Sequence, residues 1–313
     1  MSDSIITNSE YSWQKHQKRE FELDSKSPIE TITELIEGAH DMIVVADPAF
    51  LNSKIRDVVM VVKKRDVRSY VLTEDDALPN DVDSKQVISC LEMTNSTKTL
   101  VRTYAGLAVN AILIDPFERS RGLLFGGFRD SYEGGVYEEL HGEENKEIRD
   151  ILGWLYWENA KREVASKIEN CKPLGKLLQP EPYHVLYARQ NVQDEISKTI
   201  CGASNVLTVS GRCWHVHMER VCELARNGTK VTVITRPDDL TPNNIMKIRD
   251  AGVQIVGSNG SVNMIISDSV AVLISDVNNG HFEIGIKREG RKMQGMKKKI
   301  EQIVKKPDYE LKC

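Results

Sequence analysis

Two seven-residue strings hold the residues of this chain best suited to chemistry at a shared site. Val109-Asn110-Ala111-Ile112-Leu113-Ile114-Asp115 and Val262-Asn263-Met264-Ile265-Ile266-Ser267-Asp268 repeat valine, asparagine, isoleucine and aspartate at one spacing. An asparagine amide is neutral and offers both donors and an acceptor, so Asn110 and Asn263 suit an uncharged polar ligand in a groove. Each can also cap a strand or pair with backbone in a core, and both readings stay open. Asp115 and Asp268 can meet a ligand, although buttressing a neighbouring loop is the plainer use. A third candidate is His215-Val216-His217. On a helix the two imidazoles diverge, whereas on an extended loop they could join a carboxylate at a metal. A surface or hydrogen-bonded pair is the plainer reading, and no metal site is assigned. Finally, Lys287, Arg288, Arg291, Lys292, Lys297, Lys298, Lys299, Lys305 and Lys306 form a basic run. Such a run can contact phosphates, with Lys297, Lys298 and Lys299 as the nucleic-acid candidates, or can simply be a solvated helix end.

The elements that must position these residues also come in pairs. Ile32 to Ala39 and Ile196 to Ala203 place apolar residues at i and i+4, each entering a short apolar run, Met42 to Ala46 or Val206 to Val209. A loop follows each run: Asp47-Pro48 in one half, Gly211-Arg212-Cys213-Trp214 in the other. A second helix is expected over Ser53 to Lys64 and His217 to Arg226. Tight turns at Arg65-Asp66 and Asn227-Gly228 lead to strands Val67 to Leu72 and Lys230 to Thr235. This order implies parallel strands covered by helices, with a ligand site beyond their carboxyl ends. Between the halves, Glu147 to Ile168 has one apolar side and is expected to be a helix, its Trp154 and Trp157 used for packing. Lys172 to Pro182 contains prolines and reads as a linker.

Composition narrows the classes. A formal net charge of −4 argues against a protein that coats nucleic acid non-specifically, since phosphate contacts need clustered cations. No apolar run approaches the length of a membrane span, and Gln17-Lys18-Arg19-Glu20 stands where a signal peptide needs apolar residues. The six cysteines form no CxxC pair, as expected of reduced thiols in the cytoplasm. No cofactor fingerprint follows a strand, so no cofactor is expected.

With these residues in view, the second half resembles a phospholipase D-like repeat. Ala251-Gly252-Val253 closes a helix, Ser261-Val262-Asn263 leads to Asp268, and Val270 to Ile274 follows. Ser275-Asp276-Val277-Asn278 and Phe282-Glu283-Ile284-Gly285-Ile286 then complete the family pattern. The first half is more diverged: Ala108-Val109-Asn110 to Asp115, Leu123 to Phe125, then Gly126-Gly127-Phe128-Arg129. The resemblance covers roughly residues 28 to 290. In active members, motif histidines from two repeats face each other, one attacking phosphorus and one protonating the leaving group, while lysines hold the phosphate oxygens. Here the histidine positions are Ala108 and Ser261, and the lysine positions are Asn110 and Asn263. The resemblance therefore implies an inactive or altered site. It also places Asn278 and Glu283 near the pocket.

The resulting expectation is an α/β protein of two phospholipase D-like repeats. Each is a mixed, mostly parallel sheet flanked by helices, and a pseudo-two-fold axis relates them. Residues 1–27 form a polar tail, 28–170 repeat one with the connecting helix, 171–183 a linker, 184–306 repeat two and 307–313 a C-terminal tail. The expected ligand groove comprises Asn110, Asp115, Ser261, Asn263, Asp268, Asn278 and Glu283, with no catalytic residue and no metal. The expected role is a binding or regulatory module that works with a protein partner and leaves room for nucleic acid. A sugar-like sensor and a residual phosphodiesterase using other groups are the alternatives. The protein is expected to be a monomer or homodimer, away from membranes.

Overall fold

The computed structural model describes residues 12–15, 28–50, 54–62, 67–74, 99–117, 119–126, 136–159, 162–163, 183–187, 189–258, 262–275 and 284–312. The chain divides into two compact bodies. The first comprises Ser25–Arg189 with Ser275–Gly285; the second comprises Met1–Asp24, Gln190–Ile274 and Ile286–Cys313.

In the second body, β1 (Ser12–Lys15) lies at the sheet edge and returns below. The first body begins with helix α1 (Pro28–Glu37), which buries Ile32, Leu35 and Ile36 and delivers the chain into β2 (Met42–Ala46), buried along its whole length. Helix α2 (Lys54–Val62) covers the sheet with Ile55, Val59 and Val62. Next come β3 (Arg68–Glu74), β4 (Thr99–Tyr104), β5 (Ala111–Ile114), β6 (Arg121–Gly126) and β7 (Val136–Leu140). Helix α3 (Glu143–Trp154) and a π-helical turn, Leu155–Asn159, precede β8 (Arg162–Glu163) and β9 (Val185–Tyr187). β2, β3 and β4 are parallel, whereas β5 pairs antiparallel with β2. The core between helices and sheet gathers Ile36, Val45, Phe50, Val59, Val71 and Ile112.

The second body repeats this plan. Helix α4 (Arg189–Cys201) feeds β10 (Val206–Ser210), and a single 3-10 turn, His215–His217, leads into α5 (Met218–Arg226). β11 (Lys230–Thr235), α6 (Pro242–Asp250) and β12 (Gln254–Gly257) follow. Thr241 caps α6 by accepting the Asn244 N–H, with Pro242 at the first helical position, where its missing N–H costs nothing. The chain closes with β13 (Met264–Ile266), β14 (Val270–Ile274), β15 (Ile284–Glu289), α7 (Gly290–Lys305) and β16 (Tyr309–Lys312). β10, β11 and β12 are parallel, and β13 is antiparallel to β10.

The seven-stranded order β7-β6-β5-β2-β3-β4-β8 coincides position by position with the inner seven strands, β15-β14-β13-β10-β11-β12-β16, of a nine-stranded sheet. The expected α/β architecture of two mixed sheets flanked by helices is what the chain adopts. No helix among the described residues is long and apolar enough to cross a membrane.

Two expectations need correction. Residues 1–27 and 307–313 are not merely tails, because β1 and β16 pair antiparallel and β16 joins the sheet at Gly257. Trp13 is buried there, edge-on to Tyr309, and Gly257 leaves the room, since a Cβ on it would meet Trp13 Cζ3 at 2.6 Å. The helix expected over 147–168 ends sooner. At its π-helical turn the Arg102 guanidinium donates to the Tyr156 carbonyl at 2.7 Å and stacks on the Tyr156 and Trp157 rings, and the chain then turns into β8 beside β4. The linker at 172–182 lies outside the described residues.

Candidate functional site

The register of β5 on β2 determines where Asn110 falls. Ala111 pairs with Ala46, so Asn110 stands across from Asp47 at the carboxyl end of β2, where parallel strands of such sheets present ligand sites. Its carbonyl accepts the Phe125 N–H at 2.9 Å. The residue is 1% exposed, and among the described residues neither its Nδ2 nor its Oδ1 has a partner. The loop opposite holds itself: Asp47 Oδ1 accepts the Ala49 N–H at 2.9 Å, and the Thr73 hydroxyl donates to the Pro48 carbonyl at 3.1 Å. Ala108, two residues before Asn110, is buried.

In the second body Ser210 pairs with Met264, which sets Asn263 across from Gly211. Its carbonyl likewise accepts a strand N–H, that of Ile274, at 2.9 Å. The side chain, however, is occupied. Asn263 Oδ1 accepts the Arg212 N–H at 3.1 Å. This contact requires glycine at 211: its φ is +79°, and a Cβ would meet Asn263 Oδ1 at 2.1 Å and the Val262 carbonyl at 2.8 Å. Trp214 is fully buried and donates from Nε1 to the Gly211 carbonyl at 2.9 Å, anchoring the loop from below.

Beyond this loop lies a charged cluster whose members the spacing of residues did not bring together. Arg212 Nε donates to Asp239 Oδ1 at 2.6 Å, and a second guanidinium nitrogen pairs with the same oxygen. Among the described residues, Asp239 Oδ2, His215 Nε2 and His217 Nε2 are buried without a hydrogen-bond partner. The His215 ring stands edge-on to Trp214 at 4.8 Å. Burial is the largest influence on His215 and holds its pKa below 6.5; Asp239 works against this and Arg212 with it. Burial also lowers His217, while Val216 between them is exposed. Arg212 and Asp239 are 27 positions apart, so no local pattern announces their pairing. Among the described residues no group of three or more His, Cys, Asp or Glu side chains is arranged to hold a metal ion.

The structure separates the aspartates from the asparagines. Asp115 lies at the far end of β5, where its carboxylate accepts the N–H groups of His40 at 3.1 Å, Asp41 at 2.8 Å and Met42 at 3.0 Å. Asp268 does the same for Ser204, Asn205 and Val206 at 2.7, 2.9 and 3.0 Å. These backbone donors, Asn205 first, lower the Asp268 pKa. Each aspartate thus fastens the chain as it enters the central strand of its sheet, β2 or β10. Glu147 treats the entry to β9 similarly, accepting the N–H groups of Tyr183, His184 and Val185.

Ser261, Asn278 and Glu283 lie outside the described residues. On α7, Met293, Met296 and Ile300 face inward, leaving Arg291, Lys298 and Lys305 exposed at seven-residue spacing along one outer line. Lys297 and Lys299 are half-buried, Arg288 is buried, and Lys287 is engaged by Glu195 and Glu289, both at 2.9 Å.

No protein-family model matches the sequence, and no curated protein matches it. Among solved structures the chain is similar to the polyphosphate kinase of Porphyromonas gingivalis, with a TM-score of 0.54 and 12% identity over 88% of this chain and 47% of the kinase. The chain thus spans about half that protein's length. Shorter likenesses occur to Nuc from Salmonella typhimurium, a phospholipase D family member (TM-score 0.31, 12% identity, 40% of this chain and 95% of that one). NucT from Helicobacter pylori is similar over the same share (TM-score 0.32, 14% identity, 40% of this chain and 96% of that one). At 12% identity the likeness to the kinase is one of fold.

Proposed function

We propose that this chain, phospholipase D-like in fold, is a binding module that has lost the family's phosphohistidine chemistry. The observation that carries this reading is the chemistry at the carboxyl-end motif positions. A buried methyl group stands at Ala108, and neutral amides stand at Asn110 and Asn263. A methyl group neither attacks phosphorus nor donates a proton, and an amide brings no positive charge to phosphate oxygens. What remains suits an uncharged polar ligand. The deciding experiment is hydrolysis of bis(p-nitrophenyl) phosphate and of single-stranded DNA, with and without divalent cation. No metal-independent turnover is expected. Metal-independent cleavage that disappears in Ser261→Ala would overturn the proposal.

A second reading, association with nucleic acid, is favoured by the line of Arg291, Lys298 and Lys305 on the outer face of α7. It concerns a different surface and is tested separately, by the salt dependence of oligonucleotide binding.

A further inference from the structure

Asn110 and Asn263 occupy the same place in their sheets, yet among the described residues only the Asn263 side chain makes a hydrogen bond. Both carbonyls accept a strand N–H at 2.9 Å, from Phe125 and from Ile274. Across from Asn263 stands Gly211, whose left-handed backbone lets the Arg212 N–H reach Oδ1. Across from Asn110 stands Asp47, whose own carboxylate already takes the Ala49 N–H. The loop that Asn263 holds is therefore held in the first body without Asn110. The Asn110 amide is left buried with its donor and its acceptor both unpartnered among the described residues. A buried amide that makes no hydrogen bond is destabilising, and an apolar side chain of like size would not incur that loss.

Resting on the binding-module reading above, we propose that Asn110 is the ligand-recognising amide of this protein and that Asn263 is a structural one. A primary amide sets an NH2 donor beside a carbonyl acceptor, in one plane and without charge. Its complement is a neutral planar group with an acceptor beside a donor: the amino and ring-nitrogen edge of a nucleobase, or a carboxamide. Phosphate offers no such pairing at neutral pH, because its oxygens chiefly accept. The site thus takes a neutral planar hydrogen-bonding group, and nucleobase and carboxamide are its two sources.

The test compares Asn110→Leu with Asn263→Leu in the full chain. Without ligand, the urea midpoint of Asn263→Leu falls, whereas that of Asn110→Leu stays level or rises. A fall in Asn110→Leu as large as in Asn263→Leu would show that the amide is structural, and the proposal would be wrong. Thermal shifts are then measured with adenosine, nicotinamide and inorganic phosphate. The wild-type melting temperature is expected to rise with adenosine or with nicotinamide, which tells the two sources apart, and not with phosphate. The rise should vanish in Asn110→Leu and survive in Asn263→Leu. No shift with either neutral probe, or a shift with phosphate alone, overturns the ligand class. Failure of the underlying reading would appear elsewhere, as phosphodiester turnover, which none of these measurements reports.

Discussion

A carboxylate that collects three successive backbone N–H groups is doing at one residue what a capped helix does with a whole turn. Asp115 and Asp268 do this at the same point of their bodies. Replacing Asp115 by alanine strands those donors in a partly buried corner, and a loss of about 3 kcal/mol is expected from hydrogen bonds to a charged acceptor. A shift in the urea midpoint measures it, with Asp115→Asn falling between the two. The spacing of the motif made these aspartates visible, but it grouped them with the asparagines. Five residues along a strand span about 16 Å, too far for one small ligand to touch both. A strand's two ends look alike in sequence, and only the pairing with β2 or β10 says which one meets the ligand side. The histidines make a second prediction at this scale. His215 and His217 have pKa values lowered by burial, so the unfolded chain binds protons more tightly than the folded one. Stability is then undiminished above the ordinary imidazole pKa and is lost as pH falls below it. Between about pH 7 and about pH 5, the midpoint of the native protein should fall more than that of His215→Gln/His217→Gln. Asp268, with its lowered pKa, contributes to acid sensitivity only further down, as pH drops through its folded value.

At the scale of elements, the loop after β10 depends on one backbone geometry. Gly211→Ala must either push the new methyl into Asn263 and the Val262 carbonyl or rebuild the turn. A loss of about 2 kcal/mol or more is expected by denaturation, with α5 loosened where it follows the loop. Gly228→Ala, at positive φ but with open space around the added carbon, should cost only about 1 kcal/mol. The central strands were legible because Met42 to Ala46 is a short apolar run and Val231 to Thr235 a run of β-branched residues, each between helices of plain amphipathic period. The edge strands were not. Ser-Trp-Gln-Lys and Arg-Glu have no period of their own, and Tyr-Glu-Leu-Lys alternates over only four residues; they become strands because a partner's backbone is there to be paired. The same tertiary influence shortened the helix after α3, where Arg102 from β4 takes a carbonyl that helical periodicity alone would have left to the next turn.

For the molecule as a whole, charge and topology point in different directions. The net charge of −4 opposes general attraction to polyanions, so the proposed nucleic-acid contact rests on a local cluster, the line of Arg291, Lys298 and Lys305. Three such cations predict a slope of about −2 for log affinity against log salt with single strands. Arg291→Glu/Lys298→Glu/Lys305→Glu should abolish binding and leave the melting temperature within a degree or two, about what exposed substitutions do. The two-body α/β plan could be foreseen from paired motifs in matching order, but which segments belong to which body could not, because β1 joins the second body across most of the chain's length. That pairing has a consequence for biogenesis. Ser12 and Lys312 are far apart along the chain, yet they are partners. On the ribosome the early strand must wait, unpaired, until its partner strand has been made, and Trp13 reaches its seat beside Tyr309 only once that strand has left the ribosome. Nascent chains stalled short of Tyr309 should therefore hold the tryptophan in water, where its fluorescence would report the wait.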